Sequence, residues 1–124
     1  MRIVNVVSPA MLFIFLATTS AAHHSLGALF DTGRTVTVSG EVTQFEFIAP
    51  HGYIHLMVAG EDDEQVAWQL ETYPPGMLMR KGLTPATLEV GDEVAAVGYP
   101  ARDGRLLMRL LTITMPNGEE RQIQ

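Results

Sequence analysis

The 124-residue sequence contains no cysteine, which excludes disulfide bonds, thiol catalysis and lipid attachment through a lipoprotein cysteine. A cysteine-free chain suits an oxidising compartment, where a free thiol would react. Basic side chains are also few, with 8 Lys and Arg against 14 Asp and Glu and a net charge of −6. Non-specific nucleic-acid binding needs a basic surface that displaces counterions from phosphates. We therefore expect no nucleic-acid partner.

Long apolar runs are absent too, and the most apolar segment lies at the N-terminus. Arg2 is followed by a short apolar run and then by the small residues Ser20-Ala21-Ala22. This order is typical of a secretory signal peptide, so we expect residues 1–22 to be cleaved off after Ala22. An uncleaved membrane anchor is the alternative. A spanning helix needs roughly 20 mostly apolar residues, however, and the uninterrupted run 10–17 is too short.

Cleavage after Ala22 has three consequences for the mature protein. Residues 23–124 form one domain, no stable membrane span remains, and the protein is periplasmic or secreted. Removing residues 1–22 takes away Arg2 and no acid. Seven basic side chains then face fourteen acidic ones, a net charge near −7.

Alternating apolar and polar residues predict the first strand of the mature domain. Val36, Val38 and Val42 alternate with polar residues, and the phase then shifts to Phe45 and Phe47. A period of two is typical of a half-buried strand. The phase shift predicts a bend or bulge near residues 40–44.

Four more strands and one short helix are predicted further along the chain. The second strand places Ile54, Leu56 and Val58 on one face and Tyr53, His55 and Met57 on the other. The other strands are centred on residues 66–70, 93–99 and 106–115. Residues 77–81 predict a helix with Gly82 as its C-terminal cap. The turn residues Pro116-Asn117-Gly118 are expected to end the ordered part of the chain.

Three strands, a short helix and two strands follow one another in the order of the oligonucleotide/oligosaccharide-binding (OB) barrel. We therefore predict an all-β fold, a small five-stranded OB-like barrel with one short helix between strands three and four. Closing the sheet into a barrel leaves few unpaired strand edges, which helps to explain how so small a domain can be stable. A five-stranded sandwich is the alternative, but the bent first strand and the helix favour the barrel.

Eight segments of the mature chain form a pattern by their order and spacing: His23-His24-Ser25, Phe30-Asp31, residues 36–42, Ala49-Pro50-His51, Trp68, residues 79–84, residues 91–94 and residues 98–104. Together they resemble a bacterial family of exported proteins known as domain of unknown function 6152. The resemblance covers essentially the whole mature chain, with two departures: Ala49 where the family usually has Asn, and Leu83 where it often has Trp. It implies export and a small β-barrel, and no established activity.

The histidines suggest a metal site at the mature N-terminus. Cleavage after Ala22 would give His23 a free α-amine, which chelates one metal ion together with its imidazole, and His24 is a third donor. Cleavage one residue earlier would place His24 third from the amine, an arrangement that suits square-planar Cu(II) or Ni(II). His51, in the loop between the first two strands, lies within reach of a flexible twelve-residue leader. We expect copper, or zinc, held by His23, His24 and His51. The alternative is that the two terminal histidines belong to a solvated leader without function.

A second hypothesis places function on the OB face and treats the histidines as incidental. Tyr53 and His55 lie on the outer face of the second strand and are the candidates to bind an unknown envelope ligand, a protein or a glycan. No base–nucleophile set, phosphate-binding glycine loop or dinucleotide motif is present. Ser25 beside His24 lies in a leader that cannot hold catalytic geometry. We therefore predict a binding module and not an enzyme.

Other notable side chains have ordinary structural interpretations. Trp68 shares its phase with the core residues of its strand. Four methionines are expected to fill the core: Met77, Met79, Met108 and Met115. Residues 61–64 lack the ligand spacing of a calcium loop and are expected to form an acidic hairpin. Arg102 and Arg105 could hold an anion, but a solvated turn is the simpler interpretation.

Overall fold

The computed structural model describes residues 25–124. Its elements follow the predicted order, with a helical turn before the first strand, a 3₁₀ turn at Glu61–Asp63 and a sixth strand at the end. No helix among residues 25–124 has the length and apolar character needed to cross a membrane. The helices are α1 (Leu26–Leu29) and α2 (Pro75–Arg80), and the strands are β1 (Val36–Glu46), β2 (Tyr53–Ala59), β3 (Gln65–Glu71), β4 (Glu93–Pro100), β5 (Leu107–Thr114) and β6 (Glu120–Gln122).

The first five strands form a closed barrel. They lie in the order β3-β2-β1-β4-β5, and a parallel pairing of β3 with β5 closes the sheet. In this pairing Gln69 faces Leu107 and Glu71 faces Arg109. The predicted five-stranded barrel is confirmed, and the sandwich alternative is wrong.

The predicted bulge is present in β1. Val42 pairs with Leu56 and Gln44 with His55, so Thr43 is the extra residue. It lets the same strand direct Val42 into the core and still pack Phe45 against the core after the phase shift. The two aromatic rings beyond the bulge, Phe45 and Phe47, meet edge to face with centroids 5.6 Å apart.

The barrel interior holds the apolar faces of all five strands. Trp68 packs against this core from a half-buried position, as predicted. Met77 and Met79 differ from the prediction, because they lie 39% and 54% exposed on α2 and do not fill the core. Side chains with no more than 1% exposure include Val42, Ile54, Leu56, Leu70, Leu78, Met108, Leu110 and Ile113.

Helix α2 ends as its sequence predicts. Gly82 has φ +79° and donates its N–H to Met79, while Leu83 donates to Leu78. Leu78 and Leu83 are both fully buried. These two bonds and the apolar contact form a Schellman cap, which needs a residue that adopts positive φ without strain.

The turn at residues 116–118 does not end the ordered part of the chain. Beyond it, β6 pairs with the second half of β5, so that Thr112 faces Gln122 and Thr114 faces Glu120. Ile123 is completely buried. Strand β6 pairs with β5 beyond Arg109, where the β3–β5 pairing ends.

The leader contacts the barrel from Gly27 onward, so the expectation of a flexible leader is wrong for this part. Phe30 is 1% exposed and pairs with Ala101. Arg102 lies in the turn after β4 with its side chain 50% exposed, and its Nε also donates to the Gly27 carbonyl at 2.7 Å, so this turn residue binds the leader. Arg105 does form a local turn contact, with Asp103. The cleavage site, His23 and His24 lie outside the described residues.

Candidate ligand-binding site on the outer barrel face

Four side chains form a row across the outer face of the barrel, which we call the charged row: Glu46, Tyr53, Glu71 and Arg109. Glu46 faces Tyr53, Tyr53 faces Glu71, and Glu71 faces Arg109 on successive strands. Directly opposed residues in adjacent strands project on the same side of a sheet. The row therefore follows from register, and Tyr53 lies on the outer face as predicted.

Arg109 is the most buried member of the charged row. It is 6% exposed, and its guanidinium donates to Glu71 at 2.9 Å, to the carbonyl of Thr72 at 3.2 Å and to the side chain of Gln124 at 3.3 Å. The same group lies 4.6 Å from the centre of the Tyr73 ring. A buried cation needs such partners to offset the loss of hydration. These contacts hold the Glu71 carboxylate in one place.

His51 lies beside this ion pair on the loop between β1 and β2. Its Nδ1 is buried without a hydrogen-bond partner and lies 3.7 Å from Glu71 Oε1, while its side chain as a whole is 44% exposed. The loop is held by backbone bonds from Gly52 to Tyr73 and from Thr72 to Gly52. A Cβ at Gly52 would come within 2.8 Å of the Thr72 hydroxyl. Glycine here lets the loop approach β3 closely enough to place His51 next to Glu71.

His55 forms a second histidine–carboxylate pair on the same face. Its Nε2 lies 2.7 Å from Glu46 Oε1, and both side chains are partly exposed. The imidazole lies beside Tyr53, with ring centres 6.5 Å apart. Burial raises the pKa of Tyr53, the carboxylates of Glu71 and Glu46 raise it further, and Arg109 acts in the opposite direction. The hydroxyl of Tyr53 thus stays a hydrogen-bond donor across the physiological range.

A cavity of about 410 Å³ lies farther along the same outer face. Met57 lines it, so it continues the face that carries Tyr53 and His55 on β2. Glu41 and Glu93 face each other across its β1–β4 side. The other lining side chains are polar or small: Ser39, Thr43, Ala59 and Gln65.

The structure brings three of the predicted site residues together and says nothing of the other two. Tyr53 and His55 are neighbours, and His51 joins them through Glu71, which faces Tyr53. Within residues 25–124, no group of three or more His, Cys, Asp or Glu side chains is arranged to hold a metal ion. His23 and His24 lie outside those residues.

Sequence reasoning missed Glu46, Glu71 and Arg109. A signal was present for Arg109, which stands between the core residues Met108 and Leu110 and so faces outward from an apolar strand. The sequence signal for Glu71 was weaker: it is the acidic last residue of β3. Its role depends on the pairing with β5, which a single sequence does not reveal.

A family model described as Family of unknown function (DUF6152) matches residues 12–108. The chain belongs to this family. The resemblance noted from the sequence is thereby confirmed. The DUF6152 match covers His51, Tyr53, His55 and Glu71, whereas Arg109 and β6 lie beyond its end. Comparison with curated proteins and with solved structures gives no match.

Proposed function

We propose that this DUF6152 protein is an exported binding module that carries Cu(II), or a similar metal ion, at the N-terminus of its mature form. His23 is the principal ligand, through its α-amine and imidazole, and His24 and His51 are further ligands. The observation that carries the proposal is the docking of the leader. Phe30, Gly27 and Arg102 fix the chain to the barrel a few residues after His23. The terminus therefore starts from a defined place on the domain.

The distances involved are compatible with a site shared with His51. Ala101 bonds to Leu107, which pairs with Gln69, two residues before Glu71. Two strand spacings and two residues separate Ala101 from Glu71, on the order of 12 Å. Helix α1 begins at Leu26, so only the three steps from Leu26 back to His23 can extend, a reach of ~10–11 Å. This reach is of the same order as the separation, and the side chains of His23 and His51 supply the remainder.

The donor set favours copper. An α-amine has a pKa of about 8, so a metal ion displaces its proton easily near neutral pH. Chelation by the imidazole of the same residue reduces the entropy lost on binding the second nitrogen. Nitrogen donors bind Cu(II) more tightly than Zn(II). His51 can supply a further nitrogen because its ring is 44% exposed although Nδ1 is buried.

Adding the four residues Gly-Ser-Gly-Ser before His23 is expected to weaken Cu(II) binding by at least tenfold. The extension moves the free amine away from His23 and leaves no histidine within three residues of the new terminus, while all four imidazoles stay in place. The measurement is calorimetric titration of the processed and the extended protein with Cu(II). Intact mass of protein from the cell envelope first verifies cleavage after Ala22, and a species that keeps Met1 contradicts both export and the terminal chelate. Equal affinity of the two forms would contradict copper chelation by the terminal amine.

His51→Ala in the processed protein is expected to cost about tenfold in affinity, about 1.4 kcal/mol. His55→Ala is the matched control, because its imidazole lies on the same face but bonds to Glu46 through Nε2. A similar loss in both variants would mean that the loop histidine is not a specific ligand.

A second candidate function is an interaction module that holds an envelope glycan or protein on the outer face. The cavity favours it, since polar side chains and the apolar Met57 line a space of about 410 Å³ beside Tyr53 and His55. Pockets of this volume suit small ligands.

A tetramer of N-acetylglucosamine is the probe for this second function. We expect it to shift the backbone NMR signals of residues 53–59, and Tyr53→Ala to weaken binding about tenfold, because aromatic faces stack on sugar rings. Arg34→Ala, at an exposed position before the start of β1 and outside the cavity lining, serves as the control. Shifts spread over the whole surface would count against a site here. Neither proposal includes a catalytic step or a nucleic-acid partner.

A further inference from the structure

We infer that Glu71 and Arg109 are positioning residues for His51: they hold its proton on Nδ1 and leave the Nε2 lone pair facing the ligand. The inference rests on the proposed copper function for its purpose. Its structural part, the protonation pattern of the ring, can be tested without copper.

The argument begins with the buried side of the His51 ring. Nδ1 has no hydrogen-bond partner and lies 3.7 Å from Glu71 Oε1. A lone pair on Nδ1 would face the negative oxygen and be repelled, whereas an N–H there is attracted to it. Glu71 is 13% exposed, so water screens this interaction only weakly. Free histidine favours the proton on Nε2, and the carboxylate reverses that preference.

Arg109 fixes the position of the Glu71 carboxylate. Its Nη1 donates to the same Oε1 that faces His51, at 2.9 Å. Thr72, Gln124 and the Tyr73 ring hold the guanidinium in turn. Without the cation, Glu71 would gain by turning out to water. A metal-binding histidine commonly gives its second N–H to a carboxylate, which fixes the ring and strengthens the ligand. The arrangement of Arg109, Glu71 and His51 matches that requirement.

His55 is an internal control, because its other ring nitrogen faces a carboxylate. His55 meets Glu46 through Nε2 at 2.7 Å, so this carboxylate holds the proton on Nε2 and not on Nδ1. One protein should therefore contain two neutral histidines in opposite tautomers. A fully solvated ring would favour Nε2–H, so the Nδ1–H form of His51 is the assignment that reports the carboxylate.

The experiment is long-range ¹⁵N–¹H correlation NMR on the processed, copper-free protein at about pH 8, above the usual histidine pKa. We expect His51 as the Nδ1–H tautomer and His55 as the Nε2–H tautomer. Glu71→Gln should move His51 toward Nε2–H, the preference of the free ring, and leave His55 unchanged, whereas Glu46→Gln should leave His51 unchanged. Arg109→Lys keeps the charge but loses the fork geometry, and should move His51 in the same direction as Glu71→Gln. His51 found as Nε2–H in the wild-type protein overturns the inference.

Copper titration separates this inference from the proposed function. If the wild-type protein binds copper, Glu71→Gln should weaken binding roughly tenfold and change the Cu(II) electron paramagnetic resonance spectrum, while Glu46→Gln should do neither. An unchanged spectrum and affinity in Glu71→Gln overturns the positioning role even if copper binds. If the wild-type protein binds no copper, the proposed function fails, and an Nδ1–H tautomer of His51 still supports the structural part.

Discussion

Glu71→Leu is expected to destabilise the domain by about 3–5 kcal/mol, because it leaves a buried guanidinium without its counter-charge. Arg109 is 6% exposed and cannot turn out to solvent without breaking its contacts with Thr72 and Tyr73. The double variant Glu71→Leu/Arg109→Met should recover most of the loss, since a well-packed apolar pair often replaces a buried ion pair at little cost. Urea unfolding followed by circular dichroism measures all three proteins.

Glu46→Leu is the matched control for this prediction. It also removes a carboxylate from a histidine on the same face, but both partners are partly exposed. Exposed pairs contribute at most ~1 kcal/mol. A loss for Glu71→Leu no larger than that for Glu46→Leu would show that the Arg109 pair is solvated in solution.

Ile123→Ala is expected to destabilise the domain by about 2–5 kcal/mol, the usual cost of emptying a fully buried isoleucine site. Ile123 is 0% exposed, and its N–H bonds to Leu111, so β6 and the end of the chain are part of the core and not a tail. The comparison is Glu120→Ala, at an exposed position of the same strand. Equal stability of the two variants, measured by thermal unfolding, would contradict docking of β6.

The barrel was predictable because its strands carry strong periodic signals. The slip from Val42 to Phe45 even located the bulge. Strand β6 carried no such signal: Glu120–Gln122 is three polar residues long, and Ile123 is a single apolar residue after a turn. Docking of the leader was equally hidden, because Phe30 and Ala101 are 71 positions apart and neither belongs to a periodic pattern.

The candidate site was predictable only within one strand. Alternation in β2 placed Tyr53 and His55 outward, and turn chemistry placed His51 in the adjoining loop. The partners of these residues depend on register across strands, above all on the parallel pairing that sets Glu71 opposite Arg109. Single-sequence periodicity does not contain that register. The prediction that Met77 and Met79 fill the core was wrong for a related reason. A six-residue helix buries one narrow face, and in α2 that face is the one with Leu78.

The β3–β5 pairing, which closes the barrel, is the shortest of the barrel's five strand pairings. It joins only residues 69–71 to residues 107–109. Local opening of a fold starts where few hydrogen bonds hold two elements together. The charged row crosses this pairing. Arg109 on β5 donates to Glu71 on β3 and also to the side chain of Gln124. A ligand that engages His51, beside Glu71, would therefore also stabilise the paired state of β3 and β5. Ligand binding on the outer face and the resistance of the barrel to local opening would then be thermodynamically linked.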